Sequence, residues 1–230
     1  MKRLIFKTND AVSPVIGILL MLVVTIIIAA VVSGFAGGLA GGQSKAPAVS
    51  IAATKVVVSE VYDTDWTDWN ATCVADKAPN AYVLFENQGG EGMPVSDVQI
   101  RVSSLKYPSD TALIDNSLTP NSSTTQRGDK ANIKDPNMKN WIRYIEVFPD
   151  RNSSVISPGT KFVLHFDFGK MVQTSTYPNY KSLDFRVDGA TSSLGVTEGD
   201  YLVYDIIDRK SKKVVSSGKI NIPPFTVSKT

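Results

Sequence analysis

The pattern of hydrophobic and polar positions changes abruptly near residue 45. No residue from Ala11 to Ser44 is charged, and Val15–Val32 is almost wholly apolar. A helix of about 20 apolar residues spans the hydrocarbon layer of a membrane, so this run predicts a lipid-compatible helix. After Lys45 short apolar runs are separated by Gly, Pro, Asn and Ser. That arrangement is typical of strands joined by turns.

The second part of the chain predicts about eight strands and no amphipathic helix of convincing length. Apolar and polar side chains alternate along Lys161–Phe168, so the face with Phe162 is expected to be buried and the face with His165 wetter. Ser157-Pro158-Gly159 predicts a tight turn, and Arg209–Lys213 a polar hairpin connection. The expected strands are Val49–Val61, Ala81–Glu86, Ser96–Val102, Trp141–Phe148, Lys161–Phe168, Ser182–Val187, Tyr201–Asp208 and Val214–Ile222.

These patterns predict an α+β protein, a long N-terminal hydrophobic helix followed by an antiparallel β-sandwich head of the immunoglobulin-like kind. The helix is expected over residues 12–42, a linker over 43–48 and the head over 49–230. Asp63–Pro79 and Pro108–Asn140 are expected to be long irregular surface regions.

The N-terminus has the order of parts found in exported chains, because Lys2, Arg3 and Lys7 precede the apolar run. Three fates fit that order. A secretory signal peptide would be cut after the apolar core, near residues 36–42. A signal anchor would be retained whole. A subunit precursor cut ahead of the apolar core would keep the helix as an assembly element.

The residues ahead of the apolar run favour the third fate. Asp10-Ala11 places a charged and a small residue before Val12-Ser13-Pro14-Val15-Ile16-Gly17. This stretch resembles the start of euryarchaeal type IV pilins. The resemblance implies that a prepilin peptidase removes a leader of residues 1–11 and exposes Val12, with a cut after Asp10 as the alternative. Ile16 stands where bacterial type IV pilins usually carry glutamate, a departure that fits the archaeal branch.

Small residues predict a packing face on the helix. Gly34, Gly38 and Gly42 recur every fourth residue, and Gly37 and Gly41 form a second pair. On a helix these glycines let neighbouring backbones approach closely, whereas in a loose chain they would make a flexible linker. Pro14 suits a first helical turn, where its missing N–H has no intrahelical partner. The residues expected to pack in a filament core are Val12, Pro14, Val15, Ile16, Gly17, Gly34, Gly37, Gly38, Gly41 and Gly42.

Composition argues against catalysis, metal binding and nucleic-acid binding. The net charge of +2 argues against a nucleic-acid binder, which normally carries a basic patch or stripe. One histidine, His165, and one cysteine, Cys73, supply neither a histidine-based triad nor a multi-cysteine metal site. Asp63–Asp68 superficially resembles a calcium loop, but Asp68 and Val74 stand where the EF-hand pattern requires glycine and glutamate. An irregular calcium site and a solvated acidic loop remain as its two interpretations. We predict no enzyme, no cofactor and no metal.

Three Asn-x-Ser/Thr triplets fall in predicted loops of the head. They begin at Asn70, Asn121 and Asn152. In an exported chain such triplets are candidate N-glycosylation acceptors, and they favour a surface location.

These features predict the subunit of an archaeal type IV adhesion pilus that polymerises with copies of itself. The resemblance implies an assembly ATPase and a membrane platform protein as helpers, with a membrane-bound precursor and an extracellular filament. Removing residues 1–11 from a chain with 24 basic and 22 acidic residues leaves 21 of each, and a neutral subunit stacks without accumulating repulsion. The alternatives are an archaellin-type filament subunit and a membrane-anchored or secreted binding domain that does not polymerise.

Overall fold

A computed structural model describes residues 14–41, 45–63, 67, 80–116, 143–150, 152–185 and 194–229. The chain divides into two units, Met1–Ser44 and Lys45–Thr230, and each is described by itself.

The described part of the first unit is an α-helix, α1, which runs from Pro14 to Gly41. Its length is about 42 Å at 1.5 Å per residue. Within it, Val15–Ala36 is long and apolar enough to cross a membrane. The Thr25 hydroxyl donates to the Leu22 carbonyl at 2.8 Å, so the one polar side chain in the middle of the apolar run is satisfied within the helix. A helix bonds all its interior backbone groups internally, which lipid requires.

The second unit is built from strands, with one short 3₁₀ turn at Val95–Asp97 among its described residues. The strands are β1 (Val49–Glu60), β2 (Tyr62–Asp63), β3 (Asn80–Gly90), β4 (Met93–Pro94), β5 (Val98–Ser104), β6 (Thr111–Asp115), β7 (Ile145–Phe148), β8 (Val155–Ile156), β9 (Lys161–His165), β10 (Phe168–Val172), β11 (Tyr180–Phe185), β12 (Leu194–Thr197), β13 (Tyr201–Asp208), β14 (Lys213–Asn221) and β15 (Ser228–Lys229).

Two four-stranded antiparallel sheets make up most of the head. One has the order β1-β3-β9-β7 and the other β14-β13-β5-β6. The three strands that come after β9 in the chain form a separate antiparallel sheet in the order β10-β11-β12. Two short pairings are also present in the described part of the head, antiparallel β4–β8 and parallel β15–β2.

The two large sheets pack face to face through one aromatic core. The Phe85 ring, from β3, stacks on Phe162 of β9 at 5.1 Å between centroids. The same ring meets Tyr204, from β13 in the opposite sheet, edge-on at 5.1 Å. All three side chains are buried. The arrangement is a β-sandwich, so the prediction of an α+β chain with a β-rich antiparallel head is confirmed.

Side chains also close the seam between the edge strands β1 and β14. The Ser216 hydroxyl donates to the Ile51 carbonyl at 2.6 Å and accepts from the Ile51 N–H at 3.3 Å. The Tyr204 hydroxyl accepts from the Ala53 N–H at 2.9 Å. Backbone groups of an edge strand that would otherwise face outward are therefore satisfied within the fold.

The prediction for Lys161–Phe168 is wrong in two respects. The strand ends at His165, because the Asp167 N–H bonds to the Asp184 carbonyl at 2.9 Å and the chain passes to the third sheet. The face expected to be wetter is buried, since His165 is only 1% exposed and its Nε2 lies 3.3 Å from Glu146 Oε2. Alternating polar residues therefore indicate a solvent-exposed face only where no neighbouring strand supplies a hydrogen-bond or ion-pair partner.

Other strand predictions differ mainly at their ends. Tyr201–Asp208 is observed with the predicted bounds, and the turns at Pro158-Gly159 and residues 209–212 are present. β3 continues to Gly90, so it includes most of the glycine-rich segment 87–92. The sequence pattern did not predict β6, which lies inside a region expected to be irregular, or β12, and of β10 it included only Phe168.

Candidate functional site: the apolar helix

The described side chains of α1, residues 15–36, are all exposed. Ile18 is 68% exposed, Met21 70% and Phe35 71%. Exposing apolar area to water costs about 25 cal/mol per Å², so a helix with this surface requires lipid or other apolar helices around it. A helix that is apolar on every face is typical of a membrane span or of a buried core element.

Glycines form a stripe along the C-terminal part of α1. Gly34, Gly37, Gly38 and Gly41 are helical, and at 100° per residue they fall within an arc of about 100°. A Cβ added at Gly34 would meet nothing within 4 Å, so the backbone there is open to a neighbour. These four glycines lie on a helix and not in a loose linker. The glycine stripe means these four residues below.

A shallow groove lies on the N-terminal half of the same helix. Its walls are four residues at helical positions i, i+3, i+4 and i+7, namely Ile16, Leu19, Leu20 and Val23. Four residues in this arrangement form the hole that receives one side chain of a facing helix in coiled coils.

The groove and the glycine stripe lie on the same side of α1. Ile16 and Gly34 are 18 residues apart, which is about five full turns at 3.6 residues per turn. Leu19, Leu20 and Val23 repeat the azimuths of Gly37, Gly38 and Gly41 in the same way. One face therefore offers an apolar hole near one end and a bare backbone near the other, both suited to a second helix.

The sequence-based packing set contains only part of this face. Pro14 opens the helix, and Val15 and Ile16 are 60% and 54% exposed. Leu19, Leu20 and Val23 were not in that set, although their 18-residue offset from the glycines would have identified them. Gly17 is helical and a Cβ there would meet nothing within 4 Å. Asp10, Ala11, Val12 and Gly42 lie outside the described residues.

The described part of the head offers no second site of the kinds considered from sequence. Asp63 is buried, and its Oδ2 accepts from the Met171 N–H at 3.1 Å, so this carboxylate supports the fold. In the described ranges no three His, Cys, Asp or Glu side chains are grouped to hold a metal ion. The remaining carboxylates of the calcium-loop hypothesis, Asp65 and Asp68, and also Cys73, fall outside those ranges.

One of the three glycosylation candidates can be placed. Asn152 is exposed in a turn, and its N–H bonds to Asp150 Oδ1 at 3.0 Å. An exposed turn is accessible to modification, so Asn152 stays a predicted acceptor. Asn70 and Asn121 lie outside the described residues.

Residues 10–51 match the protein-family model described as "Archaeal Type IV pilin, N-terminal". The match covers α1 and the first residues of β1, and it confirms the resemblance noted from the sequence. The match supports a structural protein, namely a filament subunit that assembles with copies of itself. It also supports a precursor that is anchored in the membrane. No curated protein matches the chain.

Proposed function

We propose, on the premise that residues 10–51 form an archaeal type IV pilin N-terminal domain, that the chain is the subunit of an archaeal adhesion pilus. Cleavage after Ala11 by a prepilin peptidase frees Val12. The apolar helix then leaves the membrane, and helices from many copies bundle into the filament core. The assembly ATPase and the platform protein drive this transfer.

The observation that carries the proposal is the single face of α1 that bears both the groove and the glycine stripe. Transfer of an apolar helix from lipid into an apolar bundle gains little hydrophobic free energy, so close packing must favour association. A hole for a facing side chain and a bare backbone supply that packing without polar groups. A simple membrane anchor has no need of such a face.

Two alternatives remain from the same premise. An archaellin-type subunit would use a similar helix in a rotating filament, and the Val12-to-Gly17 start resembles the pilin branch more closely. A membrane-anchored binding domain would keep the helix in lipid. Adhesion is favoured over motility by that start alone, so a strain lacking the chain should lose attachment to surfaces and keep swimming.

Processing and filament formation are tested together. Mass spectrometry of the surface-exposed protein should give a mature N-terminus at Val12, and electron microscopy should find filaments that contain it. Replacing Ala11 with tryptophan should block cleavage, because a bulky side chain would then stand just before the cut in place of a small one. Filaments should be absent, and the precursor should accumulate in the membrane. Thr8→Trp is the matched control and should be processed normally.

Other N-termini would contradict the proposal. An intact Met1 or Lys2 in the surface protein would indicate a retained anchor, and a start near Gly42 a secreted domain. A start at Val12 with the protein found only as monomer would contradict polymerisation itself.

A further inference from the structure

A group of cations lies in the connection between β13 and β14. Four of the five residues from Arg209 to Lys213 are basic, and this segment is called the basic tip below. Lys212 and Lys213 are exposed. A hairpin connection needs polar residues but no net charge, so the concentration of cations indicates a partner outside the connection.

The head itself uses two of the four cations. Lys210 Nζ lies 2.6 Å from Asp97 Oδ2, and Arg209 Nε lies 3.6 Å from Asp115 Oδ2. The other two lysines of the basic tip have no ion-pair partner among the residues that the structure describes. Their charges are therefore available to an anionic partner.

Backbone hydrogen bonds hold the basic tip in place. The Ser211 N–H donates to Asp208 Oδ2 at 2.8 Å, and the Lys212 N–H to the Asp208 carbonyl at 2.8 Å. The Arg209 N–H donates to the Asp97 carbonyl at 2.8 Å, which joins the tip to the start of β5. Cations presented from a fixed backbone lose less entropy on binding than cations on a loose chain.

The seam between β1 and β14 shows at which end of the head the basic tip lies. Ser216 Oγ and the backbone of Ile51 exchange two hydrogen bonds. Two residues further along β1, the Ala53 N–H donates to the hydroxyl of Tyr204, which pairs across the sheet with Gly218, two residues further along β14. The two strands therefore run side by side in the same direction.

The basic tip thus lies at the end of the head where the chain enters. Lys213 and Ala48 each precede the first seam contact by three residues, so they lie at a similar level. Exposed Lys45 adds a cation there, and exposed Glu91 adds an anion whose Oε2 accepts from the Ala48 N–H at 3.3 Å. Three available lysines and one carboxylate give this part of the head a positive surface.

The chain that enters the head here comes from the apolar helix. Val15–Ala36 is long and apolar enough to cross a membrane, and the basic residues ahead of it favour a cytoplasmic N-terminus and an external head. Eight residues, 37–44, separate that span from Lys45, and a fully extended chain of this length reaches about 30 Å. While the helix is in the membrane, the positive end of the head therefore stays within reach of the lipid headgroups.

A lipid surface suits the basic tip better than a soluble polyanion. Val214, directly after the two available lysines, is 51% exposed and pairs across the strands with Ile207. An apolar side chain beside cations can enter the headgroup layer, whereas a soluble polyanion offers it no apolar surroundings. Each lysine near an anionic membrane raises the binding constant about fivefold, and a short tether supplies an effective concentration on the order of millimolar. A weak contact is therefore sufficient.

We propose that the basic tip and Lys45 bind anionic phosphate headgroups of the membrane that holds the precursor. The head then rests on the outer membrane surface before assembly, and the contact is released when the helix leaves the lipid. This inference rests on the membrane-anchored precursor of the proposed function and does not require polymerisation.

The test measures how accessible each lysine is in the full chain reconstituted into vesicles. A neutral acetylating reagent labels the lysines, and mass spectrometry reads the extent at each position. When about a third of a phosphatidylcholine membrane is replaced by phosphatidylglycerol, labelling of Lys212 and Lys213 should fall about threefold or more. Salt at about 1 M, where the Debye length is about 3 Å, should restore it. Exposed Lys106, which follows the far end of β5, is the internal reference and should not change.

A pair of variants separates docking from mere proximity to the membrane. K212Q/K213Q should return the labelling of Lys210 on anionic vesicles to its level on neutral vesicles. K55Q/K219Q removes the same charge from exposed positions further along β1 and β14, and Lys210 should stay protected. A head held near the membrane by its tether alone would give equal Lys210 labelling in both variants. Circular dichroism should give equal melting temperatures for the two variants and wild type.

Several outcomes would overturn lipid docking. They are equal labelling of the basic tip on both kinds of vesicle, an equal fall at Lys106, and equal Lys210 labelling in the two variants. Protection by a soluble acidic polysaccharide, in the absence of protection by phosphatidylglycerol, would overturn it in favour of an extracellular polyanion.

Failure of this inference is distinguishable from failure of the proposed function. Flotation of the full chain with neutral vesicles tests the membrane anchor alone, and a chain that does not float would contradict the anchor and the docking together. A chain that floats but shows no charge-dependent protection would contradict only the docking. Protection in a chain that never forms filaments would sustain the docking and contradict polymerisation.

Discussion

At the scale of single residues, Tyr204 joins the two large sheets. It is 4% exposed, its ring contacts Phe85, and its hydroxyl accepts from the Ala53 N–H at 2.9 Å. Gly218, its partner across β13 and β14, leaves the space that the phenol occupies. A Cβ at Gly218 would lie 2.5 Å from the Tyr204 hydroxyl oxygen and 2.8 Å from Cζ.

Gly218→Ala should therefore destabilise the head. The Tyr204 ring is held by its contact with Phe85 and by the hydrogen bond from the Ala53 N–H to its hydroxyl, so overpacking should cost about 1–3 kcal/mol. For a head of this size that lowers the melting temperature by roughly 2–12 °C, which circular dichroism measures. Gly89→Ala is the control, because a Cβ there meets nothing within 4 Å. Equal melting temperatures for wild type and Gly218→Ala would contradict the assigned contact.

His165 shows how a polar residue in an alternating pattern can lead to a wrong prediction of solvent exposure. Its alternation with Phe162 and Leu164 indicated a solvent-facing position, but Glu146 from β7 pairs with it across the sheet and Tyr82 lies edge-on at 6.0 Å. The partner lies 19 residues away in sequence. Only strand order brings the two together.

At the scale of elements, the packing face proposed for α1 depends on the offset between the groove and the glycine stripe. The glycine stripe alone is a weak signal, because small residues also occur in loose linkers. Its alignment with the groove depends on an unbroken helix from Ile16 to Gly41, and the structure provides that helix. A break between them would rotate one motif away from the other.

Gly34→Leu should prevent filament formation without preventing membrane insertion. The added side chain would project from the stripe and hold a neighbouring helix away. Ala36→Leu is the matched control, since position 36 lies about 160° from Gly34 around the helix and the substitution adds a similar apolar group. Membrane fractions should contain both variants in processed form. Electron micrographs should show at least tenfold fewer filaments for Gly34→Leu than for wild type, and wild-type numbers for Ala36→Leu. Equal filament numbers would exclude the stripe from the interface.

At the scale of the whole head, the C-terminal segment is fastened to the region just after β1. Phe225 and Val227 are 6% and 3% exposed, and β15 pairs in parallel with β2. Lys181 Nζ donates to the Phe225 carbonyl at 2.8 Å. The last residues thus complete a core that begins near residue 51, and the head is expected to unfold as one unit.

Phe225→Ala tests that coupling. Removing a buried phenylalanine costs about 3–5 kcal/mol, so the melting temperature should fall by roughly 6–20 °C in a single transition. Thr226→Ala, at the neighbouring exposed position, should change it by less than about 2 °C. A small early transition in Phe225→Ala, with the main one unmoved, would mean that the C-terminal segment is not part of the common core.

The sequence by itself determined the two-part architecture. An uncharged apolar run dictates a helix in lipid because the backbone must bond internally there, and period-two alternation dictates strands because successive side chains point to opposite faces. The start of the helix was sufficient to identify the family that residues 10–51 match.

Tertiary structure decided what depends on contacts between distant segments. The order β1-β3-β9-β7, the burial of His165 and the seam at Ser216 follow from strand pairing, which local pattern does not encode. The parallel pairing of β15 with β2 likewise brings together segments that are far apart in sequence. A single chain specifies such meetings only through the packing of its whole core, since each contact is favourable only when the others are made.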